Sequence, residues 1–177
     1  MIESHVIKLN KQLLDLKDLI SKTVQDYAEH IERSKSKVKI LFQSDSQPTH
    51  ITEGVGEKEE EPPMDGAIIV NADSERITQV LLNLLDNAVK FTEEGTITVT
   101  MWSERSEVIV KVVDSGQGID PDIKARLFSK FATSSYRGLG LGLYISKSVI
   151  EAHGGKMWAE NNHHKGASFY FSLPLVN

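Results

Sequence analysis

Asn83, Asn87 and Lys90 recur at spacings of four and three residues, which puts them on one side of any helix that contains them. Gln79 and Asp86 extend the same polar stripe, within a run that is otherwise apolar. Amides on such a stripe need partners if they are buried, because an unpaired buried amide costs about 1–3 kcal/mol. A solvent-facing helix side accounts for them equally well at this point. Downstream, Asp114-Ser115-Gly116-Gln117-Gly118-Ile119 follows an apolar run. A carboxylate at a strand end with glycines two and four residues on sits where backbone can approach a ligand closely. Being an acceptor only, it favours the exocyclic amine of adenine over the carbonyl of guanine. A tight turn closed by an Asx bond fits the same residues. A third stretch, Gly138-Leu139-Gly140-Leu141-Gly142-Leu143, opens directly into a helical pattern. Bare amides at a helix N-terminus make an anion site. No Gly-Lys-Ser/Thr follows, and the glycine spacing is not that of a dinucleotide fingerprint. Each stretch is a weak signal alone; the three in this order are not.

The elements that must position these residues follow from periodicity. Residues 74–91 read as a helix with Ile77, Leu81, Leu84 and Ala88 as its core stripe. Residues 2–33 read as helix, with Val6, Leu9, Leu13, Leu16, Ile20, Val24, Tyr27 and Ile31 as the seam. Asp15 and Asp18 allow a break near residues 14–15. Residues 38–42, 67–72, 96–102, 108–113, 156–160 and 167–173 read as strands, and residues 104–106 as a hairpin loop. Residues 121–131 and 141–153 read as further helices, the second ended by Gly154-Gly155. Residues 43–65, rich in proline and glutamate, read as a mobile solvated loop. This order is not strict βαβ alternation. It predicts an α+β fold: a mixed sheet covered by helices on one face, after an N-terminal helical segment.

Composition narrows the function classes. The chain has 177 residues, 25% of them charged, a formal net charge of −5 and no cysteine. Nucleic-acid binding as the main activity is disfavoured by the acidic balance. A cysteine nucleophile, a thiolate metal site and a disulfide framework are excluded. No apolar run approaches the roughly 18 residues of a membrane span, and the N-terminus lacks a signal peptide's apolar core. A cytoplasmic location is expected, including as the cytoplasmic end of a larger membrane protein.

Four motifs carry a family resemblance. Asn83-Leu84-Leu85-Asp86-Asn87-Ala88-Val89-Lys90-Phe91 resembles the N box of the GHKL (Bergerat-fold) superfamily, Asp114-x-Gly116-x-Gly118 its G1 box, Phe128-x-x-Phe131 its F box and Gly138-x-Gly140-Leu141-Gly142-Leu143 its G2 box. In this order, residues 67–177 are similar to the catalytic ATP-binding domain of sensor histidine kinases. The resemblance implies a two-layer α/β sandwich with a mixed, mostly antiparallel sheet. Residues 1–15 are then the end of a dimerisation helix or a linker, and residues 16–177 the catalytic domain, with 43–66 a flexible loop. It implies Mg-ATP as the cofactor. Asn87 would coordinate Mg²⁺, Asn83 would orient the metal or the phosphates, and Lys90 would offset phosphate charge. Phe91 would pack on adenine and Asp114 read its amine. Gly116, Gly118 and Ile119, with Gly140, Leu141, Gly142 and Leu143, would shape the pocket and the lid, where Arg137 and Gly138 would supply a cation and a backbone amide.

The implied reaction is transfer of the γ-phosphate to a histidine, with asparagine rather than glutamate at position 83 disfavouring hydrolysis, since an amide is no base. None of His5, His30, His50, His153, His163 or His164 sits in the family's acceptor context. The acceptor is therefore expected on a dimerisation and phosphotransfer domain upstream or in trans. A response regulator is expected downstream, the full-length protein is expected to be a homodimer, and no nucleic-acid or membrane contact is expected for this segment. The alternative is a stand-alone GHKL ATPase or serine kinase of a regulatory protein. Two departures from the family pattern bear on the lid: only residues 132–137 separate the F box from Gly138, and Leu139 replaces a frequent threonine.

Overall fold

The computed structural model describes residues 7–34, 36–44, 66–131 and 140–176. In chain order the elements are β1 (Gln12–Asp15), α1 (Leu16–Arg33), β2 (Val38–Ser44), β3 (Ile69–Ala72), α2 (Ser74–Phe91), β4 (Gly95–Glu104), β5 (Glu107–Val113), α3 (Pro121–Lys124), α4 (Gly142–Ala152), β6 (Met157–Asn161) and β7 (Ala167–Pro174). Five strands form one sheet in the order β2-β4-β5-β7-β6, and β1 and β3 form a separate two-stranded ribbon. Only β2 and β4 run parallel in the large sheet; the other pairs are antiparallel. The expected mixed, mostly antiparallel sheet with helices on one face is present.

Alternation explains the layering. Ile97, Val99 and Met101 of β4 and Val108, Val110 and Val112 of β5 point inward at period two. They meet Leu16, Ile20 and Val24 of α1, Ile77, Leu81 and Leu84 of α2 and Val149 and Ile150 of α4 in one core. The α2 core stripe includes every residue read from periodicity, with Val80 and Leu85 added.

The N-terminal segment departs from the sequence reading. Residues 7–11 have no regular structure, and Gln12–Asp15 form a strand where a helix was expected. Antiparallel pairing with β3, Leu14 opposite Val70, overrides the helical spacing of the leucines there. The break at Asp15 is where the sequence placed it: its carboxylate caps α1 by accepting the Lys17 N–H at 3.0 Å and also takes the Ile68 N–H at 3.2 Å. The helix expected over 121–131 is only one turn long. Beyond it the amides of Arg126 and Ser129 bond three residues back, to Ile123 and Arg126, and Phe131 has a φ of 62° that an α-helix cannot accommodate. Gln43 and Ser44, expected in the loop, end β2; residues 45–65 of that loop lie outside the described residues.

Candidate functional site

α2 is where distant motifs meet. Asp73 caps it, accepting the Arg76 N–H at 3.1 Å. Along one side of it, Asn83 and Asn87 are half-buried and Lys90 is exposed. Asn83 reaches α4: its Nδ2 donates to Ser146 Oγ at 3.0 Å. The same side chain lies against Gly142: a Cβ there would be 2.2 Å from Asn83 Oδ1, so any larger residue would displace the Asn83 amide. At the other end of α2, a Cβ on Gly116 would lie 2.2 Å from the Phe91 carbonyl oxygen. The N box thus touches the second glycine stretch through Asn83 and the first through Phe91. The Lys90 ammonium stands 5.2 Å from the centre of the half-buried Phe91 ring. The Asn87 side chain has no hydrogen-bond partner among the described residues, whereas that of its neighbour Asp86 accepts the Tyr27 hydroxyl at 2.6 Å.

Asp114 is 5% exposed and held from one side. Its Oδ1 accepts the Gly116 N–H at 2.8 Å and the Ala167 N–H at 3.2 Å. Oδ2 has no hydrogen-bond partner among the described residues. Burial raises the pKa of this carboxyl above the ordinary carboxylate value, against the two amides that lower it. β7 comes close enough only because residue 166 is glycine: its φ is +85°, and a Cβ would fall 1.9 Å from the Asp114 carbonyl oxygen.

Several supporting residues carried no signal in the sequence. Asn161, at the end of β6, straddles the Ile119 peptide, accepting its N–H at 2.6 Å and donating to its carbonyl at 2.9 Å. Asn162 donates to the Asp114 carbonyl at 3.1 Å and accepts the Ser168 hydroxyl at 2.6 Å. Gly118, with φ +84°, lets the loop turn between these anchors. Asn161-Asn162 reads from sequence as part of a strand-connecting turn. Only the folded chain brings it beneath the Asp114–Ile119 loop.

α4 begins without a side-chain cap: Leu141 occupies its N-cap position and makes no such bond, and Gly140 precedes it with φ +65°. The first amides of α4 therefore remain available to an anion beside Asn83. Leu143 packs against the core. Arg137 and Gly138 lie outside the described residues, as does the connection over 132–137.

The donor set fits a magnesium ion carried in with phosphate. The amide oxygens of Asn83 and Asn87 are hard, neutral donors, and Mg²⁺ usually takes only one or two protein ligands beside phosphate and water. Among the described residues no cluster of three or more His, Cys, Asp or Glu offers an all-protein cage. Among the described residues no histidine joins the site: His30 is in the last turn of α1, His153 is buried at the end of α4, and His163 and His164 lie in the turn between β6 and β7. Among the described residues no helix is long and apolar enough to cross a membrane.

Comparison with known proteins agrees with this geometry. The sequence profile described as histidine kinase-, DNA gyrase B-, and HSP90-like ATPase matches residues 72–177. The sensor protein KdpD of Clostridium acetobutylicum is 35% identical over 174 residues, covering 94% of this chain and 17% of that protein. Full-length ShkA, solved in complex with AMPPNP, has a TM-score of 0.75 at 28% identity, over 97% of this chain and 32% of its own. The nucleotide-free catalytic domain of the histidine kinase ThkA has a TM-score of 0.74 at 32% identity, over 94% of this chain and 96% of its own. ThkA has also been solved with its response regulator TrrA. The chain spans less than a third of the length of the curated relatives it matches. It belongs to the family of histidine kinase-, DNA gyrase B- and HSP90-like ATPases, with the architecture of a histidine kinase catalytic domain.

Proposed function

We propose that this chain binds Mg-ATP between α2, the Asp114–Ile119 loop and the N-terminus of α4, and transfers the γ-phosphate to a histidine outside the chain. The observation that carries the reading is Asp114, a buried carboxylate with one oxygen held by two amides and the other left without a partner. That oxygen accepts the adenine amine and repels a carbonyl at the same point. Phe91 packs on the base, and Lys90, now over the Phe91 ring, swings to the phosphates. Asn87 would coordinate Mg²⁺ and Asn83 would orient the metal or the phosphates, the ion supplying positive charge to offset the phosphate oxygens. The amides of Gly142 and Leu143 at the start of α4 cradle the phosphate chain. The family resemblance assigns Arg137 and Gly138 to nucleotide binding as well.

Catalysis is then positioning and charge stabilisation. A neutral imidazole nitrogen attacks the γ-phosphorus in line, the N–P bond forms as the P–O bond to ADP breaks, and no strong base is required. The polarity of position 83 supports transfer over hydrolysis, because Asn83 donates to Ser146 and has no basic atom with which to activate water. The acceptor histidine belongs to a dimerisation domain upstream or in trans, as the sensor kinases to which the chain is similar imply, and the phosphate passes on to a response regulator in a cytoplasmic, homodimeric assembly. Titration with an ATP analogue, with and without Mg²⁺, tests the site. Magnesium-dependent binding is expected, and Asn87→Ala should weaken it by at least about tenfold, the worth of about 1.4 kcal/mol. Unchanged binding by Asn87→Ala would remove the metal assignment, and steady ATP turnover with no acceptor present would favour a stand-alone ATPase instead.

A further inference from the structure

His153 is buried, at 5% exposure, and the chemistry above does not use it. Both ring nitrogens are engaged. Nε2 lies 3.0 Å from the Asp73 backbone N–H and accepts from it. Nδ1, 2.7 Å from the Val149 carbonyl, must then carry the proton and donate. This pair of bonds holds a neutral ring in one tautomer, and burial lowers its pKa in the same sense. Asp73 is itself a junction. Oδ1 caps α2 at Arg76, and Oδ2 accepts the backbone N–H of Asn10 at 2.8 Å.

A hydrogen-bonded chain therefore runs from the segment before β1, through the N-cap of α2, to the last turn of α4. α2 carries Asn83, Asn87 and Lys90, and α4 starts at Gly142 against Asn83. The two helices are tied by the Asn83 and Ser146 side chains and again, about 15 Å further along α2 at about 1.5 Å per residue, by the His153 ring accepting the backbone N–H of Asp73 at the α2 N-cap. Added to the packing that sets their crossing angle, two ties of this kind resist rotation of one helix against the other, where one tie would act at a single point. The second tie also takes a bond from a segment whose next residues pair with β3.

We infer that Asp73 and His153 are positioning residues, and that through the Asn10–Asp73–His153 chain the segment before β1 sets how α2 and α4 face each other across the nucleotide cleft. The inference rests on the nucleotide reading above for its consequence, but not for the joint itself.

Three single variants of the 177-residue chain, and the double variant Asp73→Ser with His153→Asn, test it. Asp73→Ser keeps an N-cap but is too short to reach Asn10. His153→Asn is too short to accept from residue 73, whereas His153→Gln places an amide oxygen near the position of Nε2. Affinity for a non-hydrolysable ATP analogue with Mg²⁺ is read by calorimetry, well below each melting temperature. Amide hydrogen exchange is read without nucleotide. Asp73→Ser and His153→Asn should each weaken binding by about threefold or more, with the double variant no weaker than the worse single, a coupling of the size known between distant sites. His153→Gln should stay within about twofold of the parent. In Asp73→Ser, exchange should rise along residues 142–152 as well as 7–15. Lower melting temperatures with unchanged affinities, or faster exchange confined to 7–15, would overturn the inference. A parent chain that binds no analogue would overturn the nucleotide reading, and exchange across α4 would still decide the joint.

Discussion

Burial pushes the Asp114 carboxyl above its ordinary pKa, while the Gly116 and Ala167 amides pull it down by favouring the charged form. Because the folded pKa is the higher one, the group's contribution to stability is fully present below the unfolded pKa and is lost as pH rises through the folded value. At neutral pH the ionised side chain is therefore a net burden on the fold. Asp114→Asn should relieve it, since an amide oxygen can accept the same two N–H groups. The new NH₂ would instead meet the adenine amine donor to donor. The expected outcome is a melting temperature equal to or above the parent's, with affinity for adenine nucleotide reduced by about tenfold or more, because a buried donor is left unpaired. Calorimetric titration and a thermal melt of the same preparation check both halves. A matching loss of stability and binding would mean Asp114 is a structural turn residue only.

The loop that carries Asp114 is held in place by residues outside the motifs that carry the chemistry. The Asp114–Ile119 loop follows β5, yet it is anchored by side chains at the end of β6 and in the turn after it. Asn161 is exposed and packs into no core, so its two bonds to the Ile119 backbone matter mainly for where the loop sits. Truncation by Asn161→Ala removes two hydrogen bonds worth about 1 kcal/mol each at most. Nucleotide affinity should fall by about three- to tenfold while the melting temperature moves by only a few degrees. A stability loss with unaltered affinity would assign the clamp to folding rather than to the pocket.

The molecule as a whole should respond to acid through the joint between its helices. His153 is held neutral, its pKa lowered first by burial and further by Lys11, and partly restored by the Val149 carbonyl and the Asp73 carboxylate. A lowered folded pKa means the unfolded chain binds the proton more readily. The corresponding stability is present above about pH 6.5, the ordinary histidine value, and is lost as pH falls from there through the folded pKa. Asp73, lowered first by its bond from Asn10, acts in the same direction in the more acidic carboxylate range. Between about pH 7.5 and pH 5.5 the parent's melting temperature should fall more steeply than that of His153→Gln, which has nothing to protonate there. Parallel slopes in the two proteins would show that the buried ring does not contribute.

Local physics was enough to place α2, α4 and the long strands, because amphipathic period and alternation are properties of neighbouring residues. The same holds for the Asp15 cap and for the three stretches that carry the chemistry. Where the sequence misled, a distant partner decided. Leu9, Leu13 and Leu16 have helical spacing, but residues 12–15 pair with β3, more than fifty residues on. The turn after α3 ends where Phe131 takes a left-handed backbone. Asn161, Asn162 and Gly166 acquire their roles only against Asp114 and Ile119, and Asp73 and His153 only against each other. The sequence alone determined which groups could bind a nucleotide and in what order they occur. That Asn83 meets Gly142, and Phe91 meets Gly116, was decided by tertiary structure, because such contacts come from packing α2 between two loops whose positions no local rule specifies.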